Sequence, residues 1–365
     1  MAAEPVVNAP TTFTLRTVDS RMAGDIKLVG DIDGDGRNDL LVAGGVTEGA
    51  RWYRNPSFAS SLIARPTVQF TTDGALRDLD GDGDLDFVVA DAKGSGNLQW
   101  FENPLPRNSP FGRTWTRHTV GNTLGWMKDI EVLDLDNDGR RDIAVRTKDR
   151  LIFFFQRRDL SFERIRFPEG RLPLGREGLT SGDIDRDGNA DLVLRGAWLR
   201  NPGGVRARVL RNWTLYTVGN APEAFKALVA DINGDRRPDI VYSSSEDTAP
   251  VRWWSFGAQG PTGPWTSRTI QASVERAHTL QAGDVDLDGD TDVVVGQLHT
   301  SAAKEIRVYY NTDRAGTAWR YQRIGTGGLH NGILKDIDRD GDLDLFGANF
   351  TGNAPVRLWI NTKRR

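Results

Sequence analysis

Cysteine is absent from this chain of 365 residues, which excludes a disulfide framework and any zinc-thiolate site. Histidine is scarce, with four copies, and methionine is scarcer, with three. No apolar run approaches the ~20 residues that cross a bilayer, so no membrane span is expected. Residues 1–12 (MAAEPVVNAPTT) lack the apolar centre of a secretion signal and are expected to be a flexible segment ahead of a single domain over 13–365. A glycine-rich phosphate loop and a G-x-S-x-G elbow are also missing. So is the aromatic-rich basic strand of an RNA-binding sheet, and no nucleic-acid partner is expected.

What the chain does contain is one acidic loop written seven times, at intervals of 47 to 56 residues. Oxygen side chains fall at loop positions 1, 3, 5 and 9. They are Asp31, Asp33, Asp35 and Asp39; Asp78, Asp80, Asp82 and Asp86; Asp134, Asp136, Asp138 and Asp142; Asp183, Asp185, Asp187 and Asp191; Asp231, Asn233, Asp235 and Asp239; Asp284, Asp286, Asp288 and Asp292; and Asp336, Asp338, Asp340 and Asp344. Hard cations such as Ca²⁺ take six to eight oxygens from a flexible loop, and glycine at position 6 permits the sharp bend. Up to seven Ca²⁺ ions are therefore expected. The fifth loop is the least regular, because Arg236 replaces the glycine and Pro238 precedes the last aspartate. The loops hold 30 of the 50 acidic residues, so the formal charge of −3 hides a chain that is basic elsewhere.

Each loop lies between two short β-branched runs, such as Asp25–Gly30 and Asp39–Gly44, which read as a buried hairpin with the loop at its tip. A third run follows (RWYRNP, LQWFENP, VRLWIN) and then a fourth that alternates polar and apolar residues (WTRHTV, WTLYTV). Four strands per repeat of this length predict an all-β fold, a seven-bladed β-propeller of four-stranded blades with the calcium loops in the strand 1–2 hairpins. Residues 13–18 (FTLRTV) look like a fourth strand with no preceding three, and the seventh repeat stops after its third. The N-terminal strand is therefore expected to complete the last blade and close the ring. EF-hands would need flanking helices, and an RTX β-helix would need a nonapeptide period; neither is written here.

The D-x-D-x-D-G-x-x-D hairpins resemble the FG-GAP/VCBS repeats of integrin-type seven-bladed propellers across essentially the whole chain. Residues 277–300 and 329–350 are more loosely similar to secreted microbial propellers of the aldos-2-ulose dehydratase and polysaccharide-lyase kind. That resemblance implies a secreted, calcium-stabilised protein that handles carbohydrate.

If the loops occupy one rim, the connections between blades occupy the other, and the candidates for function map there. His278, His299 and His330 all fall on it in blades 6 and 7, whereas His118 sits within a fourth strand. Histidine is readily poised for proton transfer and also binds transition metals, so a further metal at the histidines is a possibility to be tested. Trp126 alone among eleven tryptophans lies off the repeat, where an aromatic ring can stack on a sugar. Cations Arg21, Lys128, Arg146, Arg176, Arg195, Lys226 and Arg276 map to the same rim, with Glu177 the best acidic candidate and Asn331 beside His330. A basic mouth would hold carboxylate or sulfate.

Three functions follow. The first is an elimination enzyme acting on an acidic or keto sugar, with His278 or His330 as base and Arg146, Arg195 or Lys128 neutralising the enolate. In that case Trp126, Glu177, Arg176, Lys226, Arg276, His299 and Asn331 bind substrate. The second is a lectin-like module and the third an integrin-like protein scaffold. Rim residues that differ from blade to blade favour one central site over seven equivalent ones. The expected partner is an acidic oligo- or polysaccharide, and the expected state is a monomer.

Overall fold

The computed structural model describes residues 11–44, 49–65, 69–91, 96–350 and 354–363. They form seven four-stranded antiparallel sheets arranged as the blades of a propeller. The first strands of blades 1 to 7 are Ile26–Gly30, Phe70–Arg77, Met127–Leu133, Thr180–Gly182, Phe225–Ala230, Ala277–Gly283 and His330–Lys335. Each runs toward its aspartate loop, and first strands of neighbouring blades pack on one another, as those of blades 2 and 3, 6 and 7, and 1 and 7 do. Helical structure among the described residues is confined to two short 3₁₀ turns over 204–208 and 210–212. None is long and apolar enough to cross a membrane.

Second strands are buried along their whole length, as in Asp39–Ala43, Asp142–Thr147 and Asp292–Gln297. Continuous β-branched runs suit them because both faces of each sheet are covered by neighbouring blades. The core is accordingly divided into interblade layers. One joins Leu41 and Trp52 of blade 1 to Phe70, Phe87 and Phe101 of blade 2. Fourth strands face outward and keep the alternating pattern, as in Thr116–Asn122.

The seventh sheet runs, from outside in, Phe13–Asp19, Val356–Asn361, Asp344–Ala348 and His330–Lys335. Phe13 pairs with Asn361 and Leu15 with Trp359, so the N-terminal strand supplies the fourth strand that the last repeat lacks. Thr11 also packs on the fold: its buried hydroxyl meets the Tyr310 hydroxyl, and Gln322 donates to the Thr11 carbonyl at 2.9 Å. Residues 1–10 of the expected flexible segment lie outside the described residues.

A repeated latch joins blade to blade. The last loop aspartate accepts two backbone N–H bonds, as Asp86 does from Leu79 and Asn103, both at 2.9 Å. The Asn103 side chain then donates to the Ile32 carbonyl in the preceding blade at 2.8 Å. Asn55, Gln156, Asn201, Asn311 and Asn361 make the same reach. Blade 5 has Phe256 in that place.

Candidate functional site

The site is built by a constant register. Six residues before the first aspartate of each loop stand Asp25, Thr72, Lys128, Glu177, Phe225, His278 and His330. All but Phe225 line one cavity of about 460 Å³ at the ring centre, on the end opposite the loops. In blade 5 the next residue, Lys226, takes the place of Phe225. Gln69, Trp126, Glu246, Asn331 and Phe350 complete the wall, and an adjoining hollow of about 430 Å³ shares Trp126, Lys128, Glu177 and Glu246.

His278 and His330 come together as the sequence predicts. Their rings stack at 4.0 Å between centroids, with 28° between planes. Both are nearly fully buried, and Phe350 packs on His330 at 4.8 Å. Phe350 also touches His299 at 5.0 Å, which leaves His299 one ring behind the cavity wall. His278 Nδ1 lies 3.2 Å from the Asn331 side-chain oxygen, and Nε2 lies 3.5 Å from Glu177 and 3.8 Å from Glu246. Asn331 reaches this position from the left-handed region, at φ 50°, which asparagine tolerates better than most residues. His330 Nδ1 is 3.5 Å from Lys27 Nζ, whose ammonium also donates to the carbonyls of Gly24 and Asp25 at 2.6 and 3.1 Å.

Burial sets the electrostatics. It lowers His278 to about 3, aided by Lys226, and holds His330 well below its ordinary value, aided by His278. Both rings are neutral at physiological pH. Burial raises Asp25 to about 6 against the pull of Lys27, and lowers Lys27 to about 7 against the pull of Asp25. Glu246 is raised by burial and by Glu177. At Glu177 burial is outweighed by Lys226, the Ser245 hydroxyl and Lys128, so this carboxyl falls below its usual range.

Trp126 is 40 % exposed, with Lys128 Nζ 4.2 Å above its ring, and together they form the accessible shoulder of the cavity. The expected ring of arginines is not at the cavity. Arg146 is fully buried, paired with Asp129 at 3.3 Å and donating to the carbonyls of Leu174 and Gly175 at 2.6 Å; it braces the blade 4 connection. Arg195 pairs with Glu223, Arg176 with Asp247 and Arg276 with Glu275. Arg176 still borders the adjoining hollow. Arg21 is exposed near the N-terminal strand. The mouth is therefore of mixed charge, with Lys128 and Lys226 set among Asp25, Glu177 and Glu246. His118 stacks on Trp100 at 4.3 Å and pairs with Glu102, away from the cavity. Asp25, Thr72 and Glu246 are pocket residues that a search by residue type passes over. Asp25 and Thr72 share the register of His278, and that offset was the available signal. Glu246 lies on a middle turn outside the register.

At the other end, the aspartate loops have the chemistry of cation sites. In the first four, carboxylate oxygens of three aspartates lie within 4.8 Å of one another, as for Asp31, Asp33 and Asp39. Asp31 Oδ1, Asp136 Oδ1, Asp286 Oδ1 and both oxygens of Asp84 and Asp342 are buried without a hydrogen-bond partner. Unsatisfied buried carboxylate oxygens around a glycine turn fit a hard cation. In loops 3, 4 and 5 arginines share the carboxylates: Arg208 pairs with Asp136, Arg200 with Asp185 and Asp187, and Arg237 with Asp235. Arg236 occupies the bend of loop 5 at φ 64°, where the other loops have glycine.

Comparison with known families matches an FG-GAP-like repeat over residues 78–145, 134–194 and 231–295. No curated protein sequence matches the chain. Among solved structures, an Agrocybe aegerita lectin described for its recognition of non-reducing terminal N-acetylglucosamine superposes with a TM-score of 0.57 at 16% identity, over 85% of this chain and 81% of the lectin. BBS1N, solved in complex with ARL6DN, gives 0.56 at 13% identity, over 98% and 99%. The rhamnogalacturonan lyase YesW gives 0.54 at 13% identity, over 98% of this chain and 76% of the lyase. At these identities the likeness is one of fold.

Proposed function

We propose that this chain, a seven-bladed propeller of FG-GAP-like repeats, binds a saccharide at the centre of the ring and acts on it by β-elimination. The observation that carries the reading is the single asymmetric cavity. Six blades contribute Asp25, Thr72, Lys128, Glu177, His278 and His330 from the same register, with histidine alone occurring twice, and blade 5 contributes Lys226 from the next position, whereas a multivalent module would repeat one side chain throughout. Trp126 offers an apolar platform for a sugar face, and Lys128 and Lys226 offer charge to a carboxylate. Elimination breaks the α C–H and β C–O bonds and forms a C=C bond, so it needs those same cations to hold the developing enolate, an acceptor for the α-proton and the return of that proton from the acceptor to the departing β-oxygen. Glu246 is the acceptor best placed for this, because it borders both hollows and is more exposed than the histidines. The His278–His330 stack is nearly fully buried and forms the floor of the cavity. The loops hold Ca²⁺ and stiffen the blades, which suits a calcium-rich compartment outside the cytosol.

Calorimetry with neutral and uronate-containing oligosaccharides, combined with ultraviolet detection of unsaturated products, tests this. One site per chain is expected, with affinity at least tenfold lower in Trp126→Ala and a lost preference for uronates in Lys128→Ala. Several equivalent sites, or no saccharide binding, would end the proposal. A second reading, binding without turnover, is favoured by the buried, neutral state of both histidines. One-site binding with no unsaturated product would select it.

A further inference from the structure

Three side chains from three blades converge on the cavity floor: Glu177 of blade 4, Glu246 of blade 5 and His278 of blade 6. One ligand atom of each lies within 4.8 Å of the others. The orientation of the imidazole is what distinguishes this group. The Asn331 amide nitrogen faces the carbonyls of Asp25 at 3.3 Å and Thr72 at 3.4 Å. That arrangement turns the amide oxygen toward His278 Nδ1, 3.2 Å away. An amide oxygen only accepts, so Nδ1 carries the proton and Nε2 presents its lone pair. The lone pair meets two carboxylate oxygens, at 3.5 and 3.8 Å, where it finds no donor. An imidazolium paired with a carboxylate would close to about 2.7–2.9 Å. His278 as a whole is 5% exposed, and its ring borders the cavity. Lys128 and Lys226 line the same cavity, yet among the described residues neither is an ion-pair partner of these carboxylates.

We infer that His278 Nε2, Glu177 and Glu246 hold one divalent transition-metal ion of the zinc or manganese class, with its open positions facing the cavity. A tetrahedral ion with bonds of about 2.1 Å sets its ligands roughly 3.4 Å apart, close to the two separations seen here. An imidazole with two carboxylates suits such an ion, and three protein ligands leave room for a substrate oxygen. The Asn331 oxygen on Nδ1–H is the outer contact that metal-bound histidines use to fix their tautomer. This site is distinct from the oxygen-only loops at the far rim. As a catalytic aid it rests on the saccharide reading, because the ion would polarise a sugar carboxylate or carbonyl while the second carboxylate oxygen of Glu246 stays available for the α-proton. As a metal site it is testable without any saccharide.

The test uses the full chain in saturating Ca²⁺, which keeps the loops filled, and adds ZnCl₂ or MnCl₂ alone. Bound metal is read by equilibrium dialysis with elemental analysis. One equivalent per chain is expected, with affinity at least tenfold lower in Glu177→Gln and Glu246→Gln and about tenfold lower in Asn331→Leu. Co²⁺ should give a visible absorption band that His278→Gln removes. Should His278→Gln fail to fold, Glu246→Gln decides, because that side chain is 41% exposed. Zinc held equally well by Glu177→Gln and Glu246→Gln, or no ion retained beside calcium, overturns the inference. Metal uptake without saccharide binding keeps this site and removes the reading above, and the reverse result does the opposite.

Discussion

At the scale of single residues, two buried charges decide more than the histidines do. Arg146 is fully enclosed and, among the described residues, bonds to Asp129 and two loop carbonyls. Arg146→Met should leave Asp129 without its counter-charge and cost about 3–5 kcal/mol, the usual penalty for halving a buried pair. Urea unfolding would measure it; a loss of saccharide binding at unchanged stability would contradict the bracing role. Glu131 gives a pH prediction. Burial raises its carboxyl to about 7, helped by Asp73 and Asp129 and opposed by the Ser181 hydroxyl and Arg77. The folded state thus keeps a proton that the unfolded chain releases near 4.5. Stability from this group is present below that value and lost as pH rises to about 7. Glu131→Gln keeps an acceptor for Ser181, which donates at 2.9 Å, and removes the titration. The variant should be more stable than the parent at pH 8 by roughly 1–2 kcal/mol, with little difference at pH 4. Parallel melting curves at both pH values would show that Glu131 ionises freely.

At the scale of elements, the blade is a hairpin, a loop and a latch acting together. The final loop aspartate fixes the hairpin through two backbone bonds, and the asparagine that it positions ties the blade to its predecessor. Asn103 is 1 % exposed, so Asn103→Ala leaves the Ile32 carbonyl unpaired in a dry seam. A loss of about 1–3 kcal/mol is expected, read as a lower urea midpoint with an unchanged slope. An unchanged midpoint would mean that the layer of apolar side chains carries the seam alone. The hairpins were legible because the acidic loop repeats its side chains at fixed spacing and strands prescribe alternation. The latch was written just as plainly, in the Asn-Pro ends of RWYRNP and LQWFENP, but its partner lies in another blade. Spacing within one repeat does not reveal such a partner.

At the scale of the whole molecule, the sheet architecture was readable and the charge of the mouth was not. Seven in-register loops and a spare N-terminal strand determine the blades and the pairing of Phe13 with Asn361. Which cations stay free depends on pairs such as Arg176 with Asp247, 71 residues apart, and no local pattern encodes them. The loops make the last claim at this scale. Buried carboxylate oxygens without partners recur in five of the seven: Asp31, Asp84, Asp136, Asp286 and Asp342. A ligand at a hundred times its dissociation constant adds about 2.7 kcal/mol per site, and several sites add together. Chelation by EDTA should therefore lower the melting temperature by roughly 10 °C or more. Ca²⁺ should restore it in Glu246→Gln as fully as in the parent, because the loops and the cavity are separate sites. An Asp286→Ala protein should regain less than either. A melting curve indifferent to EDTA would show that arginines such as Arg200 and Arg208 balance the aspartates and that the hairpins stand without a cation.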